Sequence, residues 1–155
     1  MTQQYPQLHL DNQLCFSLYS LSRLVTQQYT PLLKKLDITY PQYLVFMVLW
    51  ENYEHGNQPL AIKVLSQKLL LDTGTLTPLL KRLEAKGLLS RTRSPEDERV
   101  VLVALTEEGI ALRERAKTVP IELFCSSGLD ALEVNDLRNQ LQGVLARLAP
   151  ASAKE

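Results

Sequence analysis

The 155-residue chain balances 17 basic against 17 acidic residues and is 45% hydrophobic and 22% charged, the profile of a globular domain that buries roughly 70% of its extended-chain surface without needing a metal or a disulfide. No stretch approaches the roughly 20 apolar residues that span a bilayer; the longest apolar run is Tyr43 to Trp50, and MTQQYPQLHLDNQ at the amino terminus lacks the basic and apolar regions of a secretion signal. These features predict a cytoplasmic protein with no membrane segment, no cofactor and free thiols at Cys15 and Cys125; His9 and His55 form no metal-ligand spacing with either cysteine, so no metal is expected.

The first long helix reads from Asp11 to Tyr29, with Asp11 or Asn12 as its cap and Leu14, Leu18, Leu21 and Val25 along one face. Pro31 either ends it or opens a short continuation, PLLKKL, that closes at Asp37. Thr39-Tyr40-Pro41 starts a second helix, with Pro41 at the first helical position, where its missing N–H costs nothing. Leu44, Phe46, Met47, Leu49 and Trp50 surround most of that cylinder, which predicts a central place in the core. NYEHGNQP, from Asn52 to Pro59, is a loop by composition, and a short helix from Ala61 to Leu69 turns Ile62, Leu65 and Leu69 inward.

The next stretch organises the rest. Leu76, Leu79, Leu80 and Leu83 recur at i, i+3, i+4 and i+7, so one side of a helix beginning at Asp72 or at Thr75 must be buried. Pro78 would remove a hydrogen bond one turn into the longer version. The opposite face, with Thr75, Thr77, Pro78, Lys81 and Arg82, is small, polar and cationic, which suits approach to phosphates and base edges. After Gly87 the chain alternates through Leu89, Ser90, Arg91, Thr92 and Arg93, turns at SPED and returns as an apolar run from Val100 to Leu105. Helix, turn, helix and two-stranded ribbon make a winged helix-turn-helix over about residues 41–105. Between Ala61 and Arg93 lie seven basic and two acidic residues, a net +5 balanced by −5 elsewhere; that concentration is the electrostatic footprint of a duplex-DNA binder.

Thr106-Glu107-Glu108 opens another helix that runs through Ile110, Leu112 and Ala116 to about Val119, where Pro120 interrupts. A last helix occupies about Asp130 to Leu148, and the tail APASAKE is expected to fray. The whole reads as one domain over 1–155, mainly α with a small β-wing. Apolar helices at about 11–38 and 106–148 flank the reading head, and a symmetric homodimer is the least costly way to cover them.

Cys15, mid-helix in LCFSLYS, reads by itself as a small buried hydrophobe. A sensing thiol must be a thiolate held by charge or hydrogen-bond donors. No Lys, Arg or His lies one helical turn away, which leaves the polar aromatics Tyr19, Tyr29 and Tyr40 as candidates. Cys125, in ELFCSSG before Gly128, falls in a segment expected to be loose, as a resolving thiol requires.

With LDNQLCFSLYS, LDITYPQYLVFMVLWE, TLTPLLKRLEAKGLL and the wing segment DER in view, the chain closely resembles the organic-hydroperoxide-sensing (OhrR-type) repressors of the MarR family over nearly its whole length. The resemblance implies a winged-helix homodimer on pseudo-palindromic operator DNA, with organic hydroperoxides as the signal. It implies that Cys15 is the peroxide-sensing thiol, that Tyr29 and Tyr40 of the partner subunit stabilise its thiolate, and that Tyr19 is auxiliary. It further implies that Arg99 enters the minor groove braced by Asp97, and that Cys125 places the chain in the two-cysteine branch, where the oxidised Cys15 condenses with Cys125 of the other subunit. The competing readings are a MarR-type regulator released by a small ligand, with incidental cysteines, and a thiol peroxidase, for which the sequence offers no CxxC or cofactor motif.

Overall fold

A computed structural model describes residues 4–56, 58–128 and 130–148; the tail expected to fray, 149–155, lies outside the described residues, as do Asn57 of the loop and residues 1–3 of the amino-terminal stretch. Two short 3-10 turns, Pro6–Leu8 and Leu10–Asn12, precede α1 (Leu14–Lys34) and α2 (Tyr40–Glu54). They are followed by β1 (Leu60–Ala61), α3 (Ile62–Leu69), α4 (Thr73–Ala85), β2 (Leu89–Arg93), β3 (Val101–Leu105), α5 (Glu107–Ala116), α6 (Val119–Ser127) and α7 (Ala131–Leu148). Among the described residues no helix is long and apolar enough to cross a membrane, and no group of three His, Cys, Asp or Glu side chains could hold a metal.

The start of α1 corrects the expected cap. The Asn12 side chain donates to the Pro6 carbonyl at 2.9 Å and Gln13 Nε2 donates to the Gln7 carbonyl at 2.5 Å. These side chains close the 3-10 turns rather than cap a helix, so Gln13 takes the N-cap position and α1 begins at Leu14. At the other end α1 runs through Pro31. The proline costs roughly 3 kcal/mol, offset by burial of Leu33 and Leu36 at roughly 1.5–3 kcal/mol each. The helix closes where the backbone turns left-handed at Asp37, φ 55°, and Ile38 N–H reaches back to the Leu33 carbonyl at 3.2 Å, the bond that seals a helix C-terminus.

Thr39 caps α2, and its N–H donates to the Gln42 side chain at 2.9 Å, half of a reciprocal capping box legible in the spacing Thr39-x-x-Gln42. α2 is the centre of the core: Val45 and Phe46 are fully buried, Trp50 stacks on Phe46 at 5.1 Å, and Leu65, Leu76, Leu80, Leu83, Leu89 and Val103 close around them. Met47 alone of the expected apolar residues on that helix is largely exposed.

Asp72 caps α4. Its carboxylate accepts from Thr75 N–H at 2.8 Å and from the Thr75 hydroxyl at 2.6 Å, so of the two possible starts the earlier one holds and Pro78 sits inside the helix. The turn before it is made by Leu70 at φ 53°, with no glycine to signal it. β2 and β3 pair antiparallel with Leu89 opposite Leu105 and Arg93 opposite Val101. β1, which sequence patterning did not predict, adds to the other edge of β3, giving the order β1-β3-β2.

Helix α5 stops at Ala116, earlier than expected. Pro120 opens α6 instead of breaking its predecessor, because its fixed φ and absent N–H suit a first turn, and buried Val119 anchors it. Gly128, left-handed at φ 73°, ends α6. Along α1 and α7 the apolar residues Leu14, Leu21, Leu24, Leu132, Leu145 and Leu148 face solvent in the single chain.

Candidate nucleic-acid interface and thiol site

The inner face of α4 is buried at Leu76, Leu80 and Leu83, and this fixes the opposite face outward: Thr75, Pro78, Lys81 and Arg82 are exposed and Thr77 is half-buried. The Thr77 hydroxyl donates to the Thr73 carbonyl at 2.7 Å. Gly74, one turn before Pro78, has Asp72 Oδ1 at 2.9 Å from where a Cβ would stand. The bonds from Thr75 hold the Asp72 carboxyl below the usual carboxylate range, the hydroxyl contributing more than the N–H. The start of α4 is thereby a tight, anionic-capped turn, with the cationic residues carried toward its far end.

The wing tip is organised by Asp97. Its two oxygens accept from Arg99 Nε at 3.0 Å and Nη2 at 3.1 Å, and Oδ1 also accepts the Arg99 N–H at 3.0 Å. The Arg99 side chain, followed by its backbone N–H, holds the Asp97 carboxyl down, while the same hydrogen bonding raises the Arg99 guanidinium. Arg99 remains 90% exposed in its side chain, a fork presented to solvent in one orientation. Arg93 donates to the Glu98 carbonyl across the turn at 3.0 Å.

Arg91 departs from the expectation of a DNA-facing residue. Its Nε and Nη2 donate to Glu84 Oε2 at 2.9 and 2.7 Å, its N–H donates to Glu84 Oε1 at 3.1 Å, and its side chain is only 19% exposed. Arg91 commits its donors to bracing the wing against α4, and that hydrogen bonding is what chiefly lowers the Glu84 carboxyl. Strand alternation gives the face of a residue but not its partner, so this brace had no signal in the sequence.

Cys15 is not mid-helix but the second residue of α1, and its thiol is exposed. The expectation of a helix start at Asp11 had hidden this placement. Tyr19 follows on the same face, with the Arg23 guanidinium 5.5 Å from its ring centre and Nη1 3.4 Å from its hydroxyl. Tyr29 and Tyr40 pack together with ring centres 4.8 Å apart, and Tyr43, absent from the sequence-derived set, lies 5.8 Å from Tyr29. Burial pushes all three phenols up, Tyr43 to about 12, with Tyr40 adding to the effect at Tyr29. They stay protonated and can donate. Cys125 is also exposed, in the last turn of α6 rather than in a loose connection.

A three-stranded winged helix on a helical frame, with an outward cationic reading face and an exposed thiol at a helix amino end, defines a winged-helix transcriptional regulator. A family model for the transcriptional regulator SarA/Rot matches residues 27–115. The organic hydroperoxide resistance transcriptional regulator of Bacillus subtilis is 45% identical over 96% of this chain and 97% of its own length. The regulator SarZ of Staphylococcus haemolyticus is 43% identical over 89% and 90%. Among solved structures, reduced AbfR bound to DNA, AbfR being a protein of Staphylococcus epidermidis, has a TM-score of 0.73 at 38% identity, covering 93% of this chain and 97% of that one. Overoxidised AbfR bound to DNA scores 0.69 at 39% identity over 92% and 96%, and disulfide-formed AbfR 0.57 at 37% over 90% and 94%. The chain belongs to the MarR family of transcriptional regulators, in the group of the SarA/Rot, SarZ and organic hydroperoxide resistance regulators.

Proposed function

We propose that this regulator is a homodimeric, redox-switched repressor that binds pseudo-palindromic duplex DNA and releases it when an organic hydroperoxide oxidises Cys15. The observation that carries the reading is the placement of Cys15 and the tyrosine pair. Cys15 stands at one end of α1 and Tyr29 near the other, fourteen residues and therefore about 21 Å along the helix, so Tyr29 and Tyr40 are out of reach of the thiol of their own chain. A two-fold partner with its α1 laid antiparallel brings Tyr29 and Tyr40 of the partner subunit to Cys15 and covers the apolar faces of α1 and α7. Their phenols donate to the thiolate, with Tyr19 auxiliary.

The chemistry balances in two steps. The Cys15 thiolate attacks one peroxide oxygen, the O–O bond breaks, and the departing alkoxide takes a proton to become an alcohol, leaving a sulfenic acid. The thiolate of Cys125 of the partner subunit then attacks the Cys15 sulfur, the S–O bond breaks, and hydroxide leaves as water with a proton. The peroxide is a stoichiometric signal and the protein is not a turnover enzyme. The AbfR forms support the consequence for DNA: this chain matches the two DNA-bound forms at 0.73 and 0.69 but the disulfide form at only 0.57.

On DNA, Thr75, Thr77, Pro78, Lys81 and Arg82 of α4 face the major groove, and the wing lays Arg93 and the Asp97-braced Arg99 against the adjacent minor groove, with Arg91 acting through the wing's position. Two heads about 34 Å apart enter successive major grooves. Lys81→Ala is expected to weaken binding for all sequences and to flatten the log–log salt dependence by about one unit; an unchanged slope in a salt titration would remove Lys81 from the interface.

Non-reducing electrophoresis after treatment with cumene hydroperoxide tests the disulfide. A dimer band is expected in the wild type and absent in both Cys15→Ser and Cys125→Ser; a band that survives Cys125→Ser would dismiss Cys125 as the resolving thiol. A groove of about 800 Å³ between α1, α2 and α4 favours a second reading, release by a small ligand; Lys34 and Arg82 stand on its wall, with Lys86 paired to Asp37. Ligand release would survive Cys15→Ser.

A further inference from the structure

The corner between α1 and α2 is where the thiol-bearing helices and the reading head meet. Three elements distant in sequence reach it. From the carboxyl end of α4, Lys86 Nζ lies 2.8 Å from Asp37 Oδ2 and donates also to the Asp37 carbonyl. From α5, Arg115 Nη2 donates to the Lys35 carbonyl at 2.9 Å. From α6, Glu122 Oε2 lies 4.0 Å from Lys35 Nζ, one helical turn ahead of Cys125. Cys15 stands in the first turn of the same α1 that ends at this corner. Buried Leu36 seats the corner in the core, so it cannot move without its neighbours.

We propose that the Lys86–Asp37 clasp is the positioning contact through which displacement of α1 and α6 is transmitted to the recognition helix. Asp37 occupies the left-handed position that turns α1 into α2, and both its side chain and its carbonyl hold the one lysine at the end of α4. A shift of α1 along or about its axis carries this corner with it. The clasp converts that shift into rotation of α4, whose cationic face lies outward from the same helix. Its charges are solvent-exposed on the Asp37 side, so it adds little to stability, and its effect is on the coupling between two states. This rests on the redox reading above.

The test is the ratio of dissociation constants, oxidised over reduced, for a duplex selected by the wild-type protein from a random-sequence pool, with cumene hydroperoxide as oxidant. Lys86→Met keeps the aliphatic stem and removes the charge; Asp37→Gly accepts the positive φ and removes the carboxylate while leaving the charge of Lys86 in place. Each is expected to lower the ratio about fivefold, the equivalent of a coupling near the upper end for an exposed pair, with the reduced-state constant and the thermal midpoint close to wild type. The double variant is expected to be no worse than Lys86→Met, because the two residues act as one contact. An unchanged ratio in both single variants, or an equal loss of affinity in both redox states, overturns the clasp as a relay. A wild-type ratio of one overturns the redox reading itself, and the relay with it.

Discussion

Cys15→Ser is expected to bind DNA within about twofold of the wild type, as an exposed substitution away from the reading face should, and to be insensitive to cumene hydroperoxide at concentrations that strip the wild type from its site. The expectation follows from geometry and chemistry together. The side chain is exposed in the single chain at the second position of α1, so replacing sulfur by oxygen disturbs no packing within the chain, and the serine hydroxyl is small enough to sit where the thiol meets the partner's tyrosines. Serine keeps the size of the residue and the helix end but cannot become a thiolate, and without a thiolate no sulfenic acid forms. The measurement is fluorescence-anisotropy binding to a labelled duplex with and without peroxide. Normal release by Cys15→Ser would end the redox reading and leave the groove between α1, α2 and α4 as the effector site.

Gly109→Ala is expected to have the largest effect on stability. A Cβ at Gly109 would stand 2.0 Å from the Leu88 carbonyl oxygen and 3.1 Å from Leu105 Cδ2. The obstruction is backbone, not the yielding tip of a side chain. At the same residue the Trp50 indole donates to the Gly109 carbonyl at 2.9 Å, Gly109 N–H donates to the Thr106 hydroxyl at 3.1 Å, and that hydroxyl donates to the Gly87 carbonyl at 2.7 Å. Relieving the clash means lifting α5 off the α4–β2 connection and breaking the indole bond. Overpacking and loss of that buried bond together should cost about 3 kcal/mol. For a chain of this size that lowers the midpoint by about 6–12 °C, read by circular dichroism at fixed protein concentration because a dimer's midpoint depends on it. A midpoint within about 2 °C of wild type would show that α5 slides past Leu88 without loss, contrary to a close-packed contact.

Periodicity made much of the head legible. Of the i, i+3, i+4, i+7 set, Leu76, Leu80 and Leu83 are buried and Leu79 is half-buried against the core, and the cationic residues fall opposite them. The ribbon from Leu89 to Leu105 was readable from alternation, and so was the outward set of α4. Proline rules were less dependable. Pro31 and Pro78 both lie within helices, since the local cost of each is met by leucines farther along that only the assembled core can bury. Pro120, read as a stop, is a start.

Among the site residues, the roles proposed for the thiols, tyrosines and wing arginine came from the family resemblance of the motifs that hold them; by residue type and spacing alone Cys15 read as a small buried hydrophobe. The surroundings of these residues came from neither. Cys15 sits at a helix end because the Asn12 side chain is bound to the Pro6 carbonyl. Arg91 is withdrawn from the reading face by Glu84, seven residues earlier on another element. Lys86 meets Asp37 across 49 positions.

The sequence by itself determined which faces are apolar, where the positive charge concentrates and which side chains can do redox chemistry, because these depend on residue type and on spacing within one helix or strand. Tertiary structure alone decided which charges are tied to one another, which prolines are absorbed and that Cys15 stands at the amino end of its helix. Those outcomes depend on packing between segments far apart in the chain, where the burial of many side chains outweighs any single local preference.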